Sequence, residues 1–156
     1  MNADLLYKVN ALHADYAAAI DEDRLEDWLE LFTEDASYSI VSRENVAQGL
    51  PLALVSCQGR GMLEDRVVAL RHANVYNLHL DRHIIGSIGI VDVTGDIASV
   101  KSNYALYQSD MDGNSYLFSV GCYEDELLIT AERALIKSKR VIYDTIKIKN
   151  LLAYPI

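Results

Sequence analysis

The run His79-Leu80-Asp81-Arg82-His83 carries two imidazoles and a carboxylate at steps of two, the residue types of a two-histidine, one-carboxylate site for non-haem iron. Spacing argues against such a site. Alternate residues of a strand lie about 6.6–7 Å apart, so the two histidines would sit roughly 13 Å apart. Metal–nitrogen bonds of about 2.1 Å cannot close that gap. On a helix His79 and His83 would share a face while Asp81 pointed away. The expectation is a loop entering a strand, with His83 in a hydrogen-bonded pocket position. A second grouping joins His83 to Asp144, Tyr38 or Tyr104 as an acid–base pair inside a pocket, with Trp28 nearby. Trp28 sits at helical spacing, where tryptophan is more often core than ligand-binding. These five residues are the pocket candidates.

Other chemistries lack their residues. The acidic run 21–35 holds Asp21, Glu22, Asp23, Glu26, Asp27, Glu30, Glu34 and Asp35 against the single Arg24. It lacks the glycine and the closing glutamate of an EF-hand loop, so a solvated helix–helix junction is expected. No serine or cysteine stands in a nucleophile motif, and Gly86, Gly89 and Gly95 form no phosphate-binding loop. Cys57 and Cys122 show no metal spacing and read as reduced thiols of a cytoplasmic protein.

The elements that must position these groups change character along the chain. Leu5, Val9, Leu12, Tyr16 and Ile20 form one helical stripe, and Leu25, Trp28, Leu29 and Phe32 a second. Ser37–Val41 alternates as a short strand, and residues 42–60 read as a long loop. A third helix is expected from about Met62 to Asn74, with Met62, Leu63, Val67 and Leu70 inward. From Ile84 strands follow: Ile84–Val93, then Val100, Ser102, Tyr104 and Leu106 alternating against their neighbours. Asp110–Asn114 marks a hairpin, because Asp-Gly supplies positive φ. Tyr116, Phe118 and Val120 share a face on the next strand. A turn near Thr130–Arg133 leads to a last strand reaching Tyr143. Three helices and then an antiparallel meander is an α+β order. To bury both layers the sheet must curl around the helices into a cone with an internal pocket. That architecture resembles NTF2-like folds: three N-terminal helices packed in a strongly curved antiparallel sheet, one domain over 1–156. In ketosteroid-isomerase-like cones the base lies a few residues beyond an Asp-Ala pair. Counted from Asp35-Ala36 that position falls near Ile40, which cannot take a proton.

The net charge of −9 argues against nucleic acid as a partner, since phosphate neutralisation needs clustered Lys and Arg. Basic residues gather late, at Lys137, Lys139, Arg140, Lys147 and Lys149, so one protomer's acidic end could meet another's basic end; solvated faces explain the asymmetry equally well. Ten tyrosines against two phenylalanines suit half-wet subunit contacts. No signal peptide and no membrane-spanning stretch is expected.

Several segments together resemble the small (β) subunits of bacterial aromatic-ring-hydroxylating dioxygenases. They are Asp21–Phe32 with Trp28-Leu29, then Phe32–Tyr38, Met62–Arg66, Leu70-Arg71, Asp81–Ile84, Ser102–Tyr104, Gly121–Asp125, Asp144 and Leu151–Ile156. Loop 42–60 is most similar to subunits of terephthalate-, salicylate- and benzoate-class enzymes. Lys139-Arg140 departs from the family's Glu-Arg pair. The resemblance implies a scaffold without its own active site in a complex that dihydroxylates aromatic rings. It implies a trimer within a hexamer of three large (alpha) and three small subunits. It further implies no cofactor in this chain, with the Rieske iron–sulfur cluster and mononuclear iron expected in the large subunit. The alternatives are a stand-alone isomerase or dehydratase, or a small-ligand binding protein, using a pocket around His83.

Overall fold

The computed structural model describes residues 2–72, 78–144 and 154–156. Helix α1 spans Ala3–Asp21, started by the Asn2 side chain, which accepts from the Asp4 N–H at 3.0 Å. Its stripe of Val9, Leu12, Tyr16 and Ile20 is buried, together with His13. Asp23 ends the helical run with a left-handed backbone (φ 56°), which aspartate tolerates better than most residues. Helix α2, Leu25–Leu29, buries Leu25, Trp28 and Leu29. Phe32, expected on that helix, instead begins strand β1, Phe32–Ser42. The reason is capture by a distant strand: the Leu31 carbonyl accepts from the Ile136 N–H at 2.8 Å.

Segment 42–60 is not one loop. Ser42 caps a five-residue helix α3, Arg43–Ala47, and Val55–Gln58 forms strand β2, paired antiparallel with Ser37–Ile40. Helix α4, Arg60–His72, turns Leu63, Val67 and Leu70 inward. Met62 is not inward: it is 45% exposed, and its sulfur accepts from the Gln58 N–H. Asn74, Lys147, Lys149 and 151–153 lie outside the described residues.

Strands β3 (His79–Thr94), β4 (Ile97–Asp110), β5 (Ser115–Ile129) and β6 (Ala134–Tyr143) form the expected antiparallel meander. The sheet order is β2-β1-β6-β5-β4-β3, and β1 runs parallel to β6. The sheet is therefore mixed rather than wholly antiparallel. After β6 completes the meander its free edge must be paired, and β1 fills it. The chain from β1 then crosses through α4 to reach the far edge at β3. Helices α1, α2 and α4 pack into the curved inner face.

Of the sheet's register shifts, those on either side of β5 reset which residues face the core. At Phe118 the β4–β5 register slips, so Phe118 and Ser119 are both buried and Val120 lies opposite Ala105 on the outer face. Val120 thus does not share the face of Tyr116. A slip between Glu126 and Leu127 leaves Lys137 extra on β6, and the next inward residue is Lys139. At Gly121 a Cβ would stand 2.0 Å from the Ile142 carbonyl oxygen, so β5 and β6 approach there as only glycine permits. The Asp110 carboxylate accepts from the N–H groups of Asp112 and Asn114 at 3.0 and 2.9 Å, closing the Asp-Gly hairpin.

Candidate functional site

Aromatic rings from five elements fill the cone. Tyr16 comes from α1, Trp28 from α2, Tyr38 from β1, Tyr104 from β4 and Tyr123 from β5, and none exceeds 3% exposure. Trp28 meets Phe32 and Tyr38 edge-on, with centroids 4.8 and 5.7 Å apart, and Tyr104 stacks on Tyr123 at 4.7 Å. Each such pair contributes about 0.5–1.5 kcal/mol beyond its buried area.

The tail enters between these rings. Ile156 is fully buried. Its N–H donates to the Tyr38 hydroxyl at 3.1 Å, and its main-chain oxygen accepts from the hydroxyls of Tyr16 and Tyr38 at 2.7 and 3.2 Å. Burial pushes Tyr38 up to about 12 and Tyr16 well above the usual phenol range, so both remain donors at ordinary pH. A crevice of about 20 Å³ remains beside the tail, lined by Trp28, Tyr38, Arg66, Val67, Tyr154 and Pro155 among others.

The pocket candidates do not form one constellation. His83 is paired with Asp21, at the end of α1, and not with Asp144, Tyr38 or Tyr104. Its backbone N–H donates to Asp21 Oδ2 at 2.9 Å and its Nδ1 to Oδ1 at 2.6 Å. A carboxylate only accepts, so Nδ1 is the ring's donor to Asp21. Nε2 is buried without a hydrogen-bond partner. An oriented dyad of this kind is the geometry of a general base, but its imidazole is wholly enclosed. The Tyr104 hydroxyl meets Ser119 at 3.0 Å. Asp144 lies at the surface, ion-paired to Arg43 at 2.8 Å.

Deeper in the cone lies a charged cluster absent from the sequence reading. Lys139 Nζ sits 3.0 Å from both oxygens of Asp125 and 3.7 Å from the centre of the Tyr123 ring. His13 Nδ1 donates to the Val9 carbonyl at 2.8 Å, and its Nε2 faces Asp125 at 3.2 Å. Burial pushes the Lys139 ammonium below its ordinary range against the pull of Asp125. Burial pushes the Asp125 carboxyl up, but Lys139 and His13 outweigh it and hold the group below its ordinary range. Asp125 could have been found from the row Tyr123, Asp125, Leu127, where a carboxylate interrupts apolar alternation. Lys139 could not, because the bulge at Lys137 reverses the phase.

The donors present do not fit iron. Among the described residues no three His, Cys, Asp or Glu side chains are placed to share a metal ion. His79, Asp81 and His83 follow one another along β3, and His83 already serves Asp21. Cys57 on β2 and Cys122 on β5 are separated by β1 and β6, and burial pushes both thiols up, away from the thiolate that a cluster needs.

The acidic run is largely answered within the chain. Arg71 of α4 binds Asp23 and Glu26 at 2.7 and 3.0 Å, Arg24 binds Glu22 and Asp27, and Arg60 binds Glu30. Apolar surface lies elsewhere. On the outer face of β3–β5, Leu80, Ile84, Tyr107 and Leu117 are 64%, 56%, 43% and 44% exposed. Tyr107 pairs directly with Leu117, and Ile84 with Ala105 in the adjoining row.

Comparison with known proteins places these features. The sequence pattern of the SnoaL-like domain matches residues 3–140. The chain is 42% identical over 150 residues to the anthranilate 1,2-dioxygenase small subunit of Burkholderia cepacia, covering 96% of this chain and 93% of that one. It is 30% identical over 149 residues to the terephthalate 1,2-dioxygenase terminal oxygenase component subunit beta 1 of Comamonas sp, covering 96% and 97%. Among solved structures, a beta subunit assigned to an aromatic-ring-hydroxylating dioxygenase of Novosphingobium aromaticivorans superposes with a TM-score of 0.88 at 41% identity, covering 96% and 95%. The beta subunit of benzoate 1,2-dioxygenase from Burkholderia mallei shares the fold, with a TM-score of 0.75 at 19% identity over 89% and 90% of the two chains.

Proposed function

The chain belongs to the small (β) subunits of aromatic-ring-hydroxylating dioxygenases, on a SnoaL-like domain, and from that premise we propose that it is a structural subunit holding a catalytic large subunit in register. The observation that carries this reading is the whole-length match to a dioxygenase small subunit. The closed interior supports it: the pocket that other chemistry would need is filled by rings and by Ile156.

The assembly we propose is a hexamer of three large and three small subunits in the cytoplasm, with the small subunits forming a trimer and 1–156 acting as one domain. No described helix is long and apolar enough to cross a membrane. The Rieske cluster and the mononuclear iron belong to the large subunit in this reading, and the complex acts on an aromatic carboxylate. The exposed Leu80, Ile84, Tyr107 and Leu117 supply apolar area for a subunit contact. Electrons passing between neighbouring large subunits require fixed distances, which a rigid scaffold maintains.

Co-expression with a tagged large subunit, followed by size exclusion with light scattering, tests the reading. A co-eluting three-plus-three complex with iron only in the large chain is expected. A small subunit that elutes alone overturns it. The Asp21–His83 dyad favours one second reading, an isomerase, dehydratase or ligand-binding protein working at His83. Under that reading His83→Ala abolishes turnover by an isomerase or dehydratase without disturbing assembly, and in a ligand-binding protein only weakens affinity.

A further inference from the structure

At the β3 edge of the sheet, the end of α1 meets the start of β3 and the tip of the β4–β5 hairpin. A well of about 280 Å³ opens there, lined by Asp21, Asp23 and Asp81 and by the exposed Leu78, Leu80 and Met111. Two of the carboxylates are answered within the chain. Asp21 holds His83, and Asp23 holds Arg71, which Glu26 shares. Asp81 is answered poorly. It is only 7% exposed, and its Oδ1 has no hydrogen-bond partner among the described residues. The imidazole of His79 stands 3.4 Å from that oxygen without hydrogen-bonding geometry. A buried acceptor left without a donor bears the full cost of its desolvation. The end of α1 deepens the negative field, because Asp21, Glu22 and Asp23 follow one another there and the last turn carries no basic residue. The well therefore lacks a cation and offers hydrocarbon around it.

We propose that this well receives a basic side chain of the large subunit, its charged end meeting Asp81 and its stem lying along Leu78, Leu80 and Met111. The site rests on the subunit role proposed above and gives that role a point of attachment. Three observations choose the occupant. A metal ion is disfavoured, since among the described residues no three donors are placed to share one. A second copy of this chain, itself at −9, is a poorer match for an acidic contact than a partner with a basic surface. Leu80 lines the well and also belongs to the outer apolar face with Ile84, Tyr107 and Leu117, so well and face form one continuous surface.

The test co-expresses the full chain with a tagged large subunit and reads the affinity from dissociation of the purified complex on dilution. Asp81→Asn keeps the shape of the side chain and removes its charge. It should bind roughly thirtyfold more weakly or worse, as loss of one partner of a buried charge pair does. Met111 is exposed in the hairpin, so either charge is tolerated there by the isolated chain. Met111→Lys should bind at least about tenfold more weakly than Met111→Glu, because only the lysine repels an incoming cation. Circular dichroism of the isolated variants checks that they fold, and if Asp81→Asn does not, the Met111 pair decides. Equal binding by Asp81→Asn and the unaltered chain, or by the two Met111 variants, overturns the well and leaves the subunit role standing. An unaltered chain that does not bind the large subunit overturns both.

Discussion

The two faces of the sheet invert the usual arrangement. The inner face buries Lys139, Asp125 and His13, while the outer face of β3–β5 leaves Leu80, Ile84, Tyr107 and Leu117 in water. A lone monomer would be served better by the reverse, since burying ions costs desolvation and exposing hydrocarbon forgoes burial. The difference teaches that the faces answer to different demands. The inner groups satisfy each other and define one packing of the cone, and the outer residues leave apolar area in water that the proposed subunit contact would cover.

The largest test of that contrast is on the inner face. Lys139→Ala leaves Asp125 buried and short of a partner, and should cost about 3–5 kcal/mol in urea unfolding. The double change Lys139→Met with Asp125→Leu should recover most of that loss. If the single change is harmless, the cluster does not hold the cone. Gly121→Ala, on the same face, forces β5 away from the Ile142 carbonyl and should cost about 1–3 kcal/mol or more by the same measurement.

Acid provides a smaller and graded effect. Because the folded-state Asp125 sits below its ordinary range, its contribution is present above the unfolded carboxylate value, about 3.9, and is lost as pH falls through the lower folded value. Lys139 has the opposite charge type. Its lowered folded value means the unfolded chain binds more protons up to the ordinary 10.5, so that term stabilises as pH rises. Above about pH 10 the raised pKa values of buried Tyr16, Tyr38 and Tyr123 work against folding. Urea midpoints across pH should therefore show a smaller acid arm in the Lys139→Met, Asp125→Leu protein, with Glu26, Asp35, Asp110 and Glu124, also held below their ordinary range, supplying what remains. The smallest effect on stability belongs to the outer face. Ile84→Asp with Leu117→Asp should change the monomer by no more than about 0.5 kcal/mol each. Co-elution with the large subunit should nevertheless fail; if it survives, the apolar face is not the contact.

Much of this was readable from residue types. Val100, Ser102, Tyr104 and Leu106 alternate without interruption, and burial follows the alternation. The stripe of α1 and the Asp-Gly hairpin were equally plain. What escaped has physical causes. Helix α3 and strand β2 have five and four residues, too short for periodicity to mark. A bulge inserts a residue without any compositional sign, so the inward turn of Lys139 and the outward turn of Val120 were hidden. Within the candidate site, Trp28, Tyr38 and Tyr104 stand at positions whose inward orientation their neighbours announce. The partner of His83 lies 62 residues away, at the end of α1, and nothing local points to Asp21. Asp144 follows the last strand directly and falls outside the cone with Arg43. The tail carried no pattern that could foretell its place among the tyrosines.

The parallel pairing of β1 with β6 also has a kinetic consequence. Ser37 meets Ser138 across 101 residues of chain, so the early helical half cannot be enclosed until the last strand has been synthesised. A contact order of this kind belongs to domains that fold on the millisecond-to-second scale. On the ribosome, at about 5–20 residues per second, the emerging chain would spend several seconds with α1, α2 and β1 unsheltered. During that interval the apolar faces of α1, α2 and β1 stand open, and surface of that kind is what makes incomplete chains prone to aggregate.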